Sequence, residues 1–346
     1  MQILTVYNVG QGDSFLLSPE NCVLKDIPLL IDCGPEKEKI ANKIEKKVCL
    51  MLTHSHTDHI GGFPLLYRQK KLRGLLIPYY MPEVMQIQKF LSAFLKKRII
   101  GSIDWRKLKK VPFRLVSEGD SLCNHSKILN PPKNPAEHFV YFSARQQEIQ
   151  DSLNYLNELG FELPREDIIN YSSPLPLDDA EYRESSKKYV HLFFNSLASR
   201  IRSNNASATQ YYTTSHLTLT ANQASIVLKF SMNNESYLFT GDADEHVFNR
   251  LIKNGANIQS KYLKIPHHGS RENMSCYILS HIDPEVAIIS HGNRKFGRSK
   301  DPHPHYEIID LLDRDRINSH YTNNVIKDGI SIKSKSLGLV DNILFK

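Results

Sequence analysis

Between Thr53 and Gly62 the chain reads Thr53-His54-Ser55-His56-Thr57-Asp58-His59-Ile60-Gly61-Gly62, which places three imidazoles and one carboxylate within six residues. Neutral imidazole nitrogens and ionised carboxylates are ligands for divalent metals, Zn²⁺ where nitrogen prevails and Mn²⁺ where oxygen does. The run follows Val48-Cys49-Leu50-Met51-Leu52, an apolar stretch of strand character, and precedes Phe63-Pro64-Leu65-Leu66, which enters a helix. The four polar side chains therefore crowd one strand-to-helix loop. His54 and His56 alternate and can reach one ion from the same side, while Asp58 and His59 lie on the following turn and can reach a second.

With its His-X-His-X-Asp-His loop, the chain resembles the metallo-β-lactamase superfamily, whose usual site holds two metals. The resemblance implies further ligands at downstream strand ends. Glu235-Ser236-Tyr237-Leu238-Phe239-Thr240-Gly241-Asp242 is a strand pattern ending in an acid that matches the family's bridging carboxylate, here Asp242. Lys261-Tyr262-Leu263-Lys264-Ile265-Pro266-His267-His268-Gly269-Ser270 ends a second strand in a histidine pair, at the position of the family's last ligand. His268 is favoured as that ligand and His267 as a supporting or phosphate-contacting group, although strand alternation alone leaves the choice open.

Four segments narrow the resemblance to the metallo-β-lactamase domain of the ComEC-type DNA-uptake proteins and their soluble relatives. Asn8-Val9-Gly10-Gln11-Gly12-Asp13 is similar to the group's Asp-Val-Gly-Gln-Gly-Asp, and Leu30-Ile31-Asp32-Cys33-Gly34 to its next strand end. Leu263 to Ser270 is close to its Leu-Lys-Ile-Pro-His-His-Gly-Ser form. Ser290-His291-Gly292-Asn293-Arg294 with Pro302-His303-Pro304 resembles its Gly-Asn-Asn-Arg-Tyr-Gly-His-Pro-His-Pro segment. The chain also departs from the pattern. Asn222-Gln223-Ala224-Ser225 has no histidine where a β-lactamase or glyoxalase places one, which argues against β-lactam or thioester hydrolysis; His216 is an alternative source of that ligand. Asp301 replaces the first histidine of His-Pro-His-Pro, and Gly297-Arg298-Ser299-Lys300 is inserted before it.

With 346 residues and 40% apolar content, the chain is ample for one large α/β core carrying an inserted element. Strands are expected over 2–7, 13–17, 28–31, 226–230 and 286–290. Helices are expected over 36–47, 83–98, 244–254 and 306–316. Periodicity says α/β; the resemblance implies a four-layer αβ/βα sandwich. Residues 131–221 do not fit the core's motif order: they begin Pro-rich, carry helical patterns over 137–159 and 178–202, and end in a polar run. The expected division is a first half of the metallo-β-lactamase domain over 1–130, a largely helical insertion over 131–221 serving as lid, substrate platform or partner surface, and a second half over 222–346.

Five cysteines (Cys22, Cys33, Cys49, Cys123, Cys276) show no paired spacing, which fits a reducing compartment, and the expected location is the cytoplasm. No apolar run has the length of a membrane span, so no membrane partner is expected. Net charge is +7, from 44 Lys and Arg against 37 Asp and Glu. Basic groups cluster at 69–73, 96–98, 106–110 and 294–300. Such clusters hold phosphate backbones or are simply solvated faces; Arg294 and Arg298 are singled out because they adjoin His303.

By resemblance, His54 and His56 hold one metal, Asp58, His59 and His268 the other, and Asp242 bridges them, with a hydroxide between the two ions as nucleophile. Asp58 thus belongs to the catalytic group, with His267 and His303 contacting phosphate or protonating the leaving oxygen. Asp32 supports the site from behind its ligands, Asp13 is either a supporting, loop-ordering carboxylate or a substrate-side group, and Asn222, Ser225, Ser270, Arg294 and Arg298 are candidate substrate contacts. The implied function is metal-dependent hydrolysis of phosphodiesters using two Zn²⁺ or Mn²⁺ ions, foremost as a nuclease with DNA as substrate. The alternatives are hydrolysis of a small ester, such as a nucleotide signal or choline phosphoester, and a non-catalytic metal-binding module.

Overall fold

The computed structural model describes residues 4–18, 27–78, 81, 110–132, 221–232, 234–293, 302–327, 330–333 and 342–345. Fifteen strands are formed among them: β1 (Leu4–Tyr7), β2 (Phe15–Leu17), β3 (Leu29–Ile31), β4 (Val48–Met51), β5 (Leu72–Pro78), β6 (Phe113–Val116), β7 (Ser126–Asn130), β8 (Val227–Met232), β9 (Glu235–Phe239), β10 (Tyr262–Lys264), β11 (Val286–Ile289), β12 (Asn318–Tyr321), β13 (Val325–Lys327), β14 (Ile330–Lys333) and β15 (Asn342–Phe345). One sheet has the order β15-β1-β2-β3-β4-β5-β6, a second β12-β11-β10-β9-β8-β7, and β13 pairs with β14 alone. In the first sheet β3 to β6 run parallel, and in the second β9 to β12 do.

Strand side chains alternate between faces, and here each face has its own core. Cys49 and Met51 of β4 join Leu4, Val6, Phe15, Leu228, Phe230, Tyr237 and Phe239 in the layer between the sheets, where the Phe15 and Phe239 rings lie 5.6 Å apart. Val48 and Leu50 point the other way, onto Ile60, Phe63 and Leu66 of the helices α1 (Thr57–Ile60) and α2 (Phe63–Arg68). Outside the second sheet, Val227, Leu238, Leu263 and Ile289 pack on α3 (Glu245–Lys253), α4 (Cys276–Ile282) and α5 (Tyr306–Arg314). The result is a helix, sheet, sheet, helix sandwich. Its near-continuously apolar parallel strands follow from burial on both faces.

Helix starts follow their caps: the Asp244 carboxylate accepts from the Val247 N–H, and Ser275 accepts from that of Ile278. The helix expected over 36–47 is corrected. It consists of two 3₁₀ turns, Glu36–Glu38 and Ile40–Asn42, separated by Lys39 at φ 47°. The first turn buries no side chain, so only Ile40, Ala41 and Ile44 anchor the segment. Lys71, from a basic cluster considered for phosphate, donates instead to the carbonyls of Ala41 and Ile44 at 2.7 and 2.5 Å. The expected helix over 83–98 lies outside the described residues, as do those within the insertion. β7 and β8 pair antiparallel with Asn130 beside Val227, so the chain returns after residue 221 to the place where it left the sheet.

Candidate metal centre

The loops after β1, β3, β4, β9, β10 and β11 converge, as ligand-bearing loops do at the carboxyl ends of parallel strands. Asp13 comes from the loop between β1 and β2, and Asp32 follows β3. His54 and His56 follow β4, while Asp58 and His59 sit on α1. Asp242 follows β9, and His267 and His268 follow β10. His59 lies at the middle. Its Nε2 is 3.2 Å from Asp242 Oδ2, and its Nδ1 is 2.7 Å from Asp32 Oδ2. Asp32 is itself held by the Thr53 N–H and hydroxyl at 2.8 and 2.7 Å. Because a carboxylate only accepts, His59 carries its proton on Nδ1 when neutral and turns the Nε2 lone pair inward.

His268 is fixed in the same way: its Nδ1 donates to the Ser290 carbonyl at 2.9 Å, leaving Nε2 3.3 Å from Asp58 Oδ2. The backbone explains how neighbouring histidines diverge. His267, His268 and Gly269 all take positive φ (45°, 55° and 85°). His268 is thereby fully buried, while His267 stays partly exposed, with Nδ1 3.1 Å from Asn273 Oδ1 and Nε2 3.9 Å from Asp242 Oδ2. Left-handed conformations at non-glycine residues cost about 1–3 kcal/mol each and collect at functional sites.

His54 directs Nε2 toward Asp242 Oδ2 at 3.6 Å, with its Nδ1 3.1 Å from the Thr53 hydroxyl and 3.3 Å from that of Ser225. His56 stands 3.0 Å from His54, ring nitrogen to ring nitrogen. The Ser225 hydroxyl also accepts from the Asp242 N–H at 3.1 Å. Asn222 is buried one turn earlier, its carbonyl accepting from the Ser225 N–H. Ser270 is buried and closes the 267–270 turn through its N–H. His303 is buried, its ring centre 5.2 Å from that of His267 and 4.4 Å from that of His305, each pair edge to face. Arg294, Arg298 and His216 lie outside the described residues.

The charges here are strongly interdependent. Burial opposes ionisation of Asp242, but His59, His267 and His268 outweigh it and hold the carboxyl well below the usual range. Asp58 is lowered likewise, burial being outweighed by His268 and His59. Against burial, Asp242 with Asp13 and Asp58 lifts His268 to about 10, and Asp242 with Asp32 raises His59. His54, His56 and His303 go the other way, mainly through burial, to about 4 for His56 and about 2 for His303.

This donor set fits divalent metal. His54, His59 and Asp242 bring one ligand atom each within 4.8 Å of one another, as do Asp58, His59 and His268. His59 Nε2 is buried and faces the Asp242 carboxylate at 3.2 Å, a lone pair and an anion turned to one point as ligands of a divalent ion would be. His56 completes neither group but borders the first through His54. A third group, Asp13, Asp32 and His59, lies behind the others and uses the protonated side of the His59 ring.

Lys264 is the buried charged residue at this centre that sequence reading passed over. It is 2% exposed and its ammonium binds Asp13 Oδ2 and the Gly241 carbonyl. The signal was a lysine inside an otherwise apolar strand end. Gly12 is also needed, at φ 153°, where a Cβ would stand 2.3 Å from the Asp58 carbonyl oxygen. Gly12→Ala is expected to lower stability by roughly 2–4 kcal/mol through strain and overpacking. Urea denaturation measures this, and a loss under about 0.5 kcal/mol, the level of a neutral surface change, would count against the packing described.

Residues 7–146 match the Metallo-beta-lactamase superfamily. Over 96 residues the chain is 30% identical to ComE operon protein 3 of Bacillus subtilis, a match covering 28% of this chain and 12% of that protein. Over another 96-residue alignment it is 34% identical to Recombination protein 2 of Haemophilus influenzae, covering 27% and 11%. Less than an eighth of either relative's length is matched. Among solved structures, a metallo hydrolase from the archaeon Ignicoccus hospitalis is similar at 10% identity and a TM-score of 0.43, over 99% of this chain and 98% of that one. No helix among the described residues is long and apolar enough to cross a membrane.

Proposed function

We propose that the chain, whose residues 7–146 match the metallo-beta-lactamase superfamily and which resembles the ComEC-type proteins, is a two-metal phosphodiesterase whose substrate is nucleic acid, foremost DNA. The observation that carries the reading is the pair of largely buried ligand groups sharing His59, one completed by His54 and Asp242 and the other by Asp58 and His268. When bound, Zn²⁺ or Mn²⁺ ions supply an activated water at neutral pH and offset charge on the attacking and leaving oxygens, which suits in-line displacement at a phosphodiester.

The chain's own residues do the rest. His54, with His56 beside it, and Asp242 would hold one ion, and Asp58, His59 and His268 the other. Asp32 and the Ser290 carbonyl fix the tautomers that aim the His59 and His268 lone pairs. His267, like His56, is a partly exposed imidazole at this centre, oriented by Asn273 and backed by the His303 ring. Asn273 gives its N–H groups to the Asp242 and Ala243 carbonyls, so its Oδ1 accepts from His267 Nδ1–H, and Nε2 donates to a phosphate or departing oxygen only in the protonated ring, a form that burial disfavours. Burial holds His303 neutral, so it supports His267 rather than delivering a proton itself. The excess of Lys and Arg favours a polyanionic substrate.

The test is cleavage of end-labelled single- and double-stranded DNA with Mn²⁺, Zn²⁺ or chelator, beside bis-p-nitrophenyl phosphate, across a salt series. A nuclease cuts the polymer only with metal, and its binding falls steeply with salt, by a log–log slope of roughly 0.7–0.9 per phosphate neutralised. Turnover of the small diester alone, insensitive to salt, would replace this reading with small-ester hydrolysis. Metal bound with neither substrate cut would leave a non-catalytic module.

A further inference from the structure

Asp13 and Lys264 form a charge pair beneath the metal centre that none of the steps above employs. The two residues come from opposite sheets, Asp13 from the loop after β1 and Lys264 from the end of β10. Each is at most 2% exposed. Asp13 Oδ2 binds the ammonium. The same ammonium donates to the Gly241 carbonyl at 2.6 Å and stands 3.7 Å from Asp242 Oδ1. On its far side Asp13 lies 3.5 Å from His268 Nδ1 and 3.8 Å from His59 Nδ1. Each member of the pair therefore faces residues of the metal-binding groups, with opposite sign.

We infer that Asp13 and Lys264 are a built-in counter-ion pair that sets the metal affinity of the centre: together they add no charge, while either one alone changes the charge beside the centre by one. The inference rests on the metal-binding reading of the site. A carboxylate next to His59 and His268 without its ammonium adds negative charge where cations bind. An ammonium next to Asp242 without its carboxylate repels them. Low-dielectric surroundings keep such effects large across 4 Å, whereas water would screen them. A pair retained only to fix the fold would have no such sign.

The opposite signs make a double-mutant cycle decisive. Mn²⁺ and Zn²⁺ affinities are measured by competition with a chromophoric chelator on metal-stripped protein, for the wild type, Lys264→Met, Asp13→Asn and the double variant, with Lys264→Arg as the charge-conserving control. Lys264→Met should bind metal roughly tenfold or more tightly, and Asp13→Asn correspondingly more weakly. The double variant should return to within roughly threefold of the wild type, since the net charge is restored, and Lys264→Arg, which conserves it, should stay there. If Lys264→Met does not fold, Asp13→Asn and its rescue by the second substitution test the same point. Both single variants moving in one direction, or a double variant that adds their losses, overturns the inference. A wild type that binds neither metal overturns the metal reading beneath it instead.

Discussion

Asp242→Ala will strip the centre of metal and reduce turnover of any phosphodiester by more than about a hundredfold. Loss of residues that merely support a metal ligand costs roughly 10–100-fold, and Asp242 stands closer to the centre than those. Its Oδ2 lies 3.2 Å from His59 Nε2, 3.6 Å from His54 Nε2 and 3.9 Å from His267 Nε2, and its Oδ1 lies 3.7 Å from the Lys264 ammonium. No other carboxylate among the described residues makes contact with all four groups. The backbone should survive the change, because the Asp242 N–H is held by Ser225 and its carbonyl by Asn273, neither of which uses the side chain. Elemental analysis after dialysis, circular dichroism and turnover of bis-p-nitrophenyl phosphate under excess metal separate loss of metal from loss of fold. A folded variant with two ions and undiminished turnover would remove Asp242 from the mechanism.

The residues that meet at this centre were legible because their chemistry is local to strand ends. His54, His56, Asp58 and His59 fall in one loop, and Asp242 and His268 each close an apolar strand, so resemblance and pattern single them out without any distance. What remained closed was conformation and partnership. The choice between His267 and His268 depends on consecutive left-handed residues, which period-2 alternation does not describe. Lys264 takes its meaning from Asp13, 251 positions earlier in the chain and on the other sheet. The pattern over 36–47 looked helical because Ile40, Ala41 and Ile44 have helical spacing, yet the left-handed Lys39 divides it. β15 pairs with β1 across nearly the whole chain, and no short-range signal announces such a contact.

With metal removed, stability should peak near pH ~6.5–7 and fall on both sides, and metal should abolish the alkaline fall. Two sets of histidines produce the peak. His56 and His291 are lowered to about 4 and His303 to about 2 by burial first, with His54 also well below normal. These rings stay neutral in the folded chain while the unfolded chain, with histidine near ~6.5, takes up protons. Their contribution is therefore present above about 6.5 and is lost as pH falls through that window toward 4. His59 and His268 have the opposite sign. Asp242 and its fellow carboxylates outweigh burial, lifting His268 to about 10 and raising His59 as well. Their stabilisation is complete below the unfolded value and disappears as pH rises from about 6.5 to about 10, each tenfold difference in proton affinity between folded and unfolded chain being worth about 1.4 kcal/mol. Ions at the centre require these same two rings without their inward protons, so loading should stabilise the chain progressively more as pH rises. Thermal denaturation from pH ~4 to ~10, in chelator and in Mn²⁺, reads both effects. A flat profile above pH ~6.5 in chelator would mean that His59 and His268 are neutral without metal, and that Asp13, Asp32, Asp58 and Asp242 are balanced in some other way.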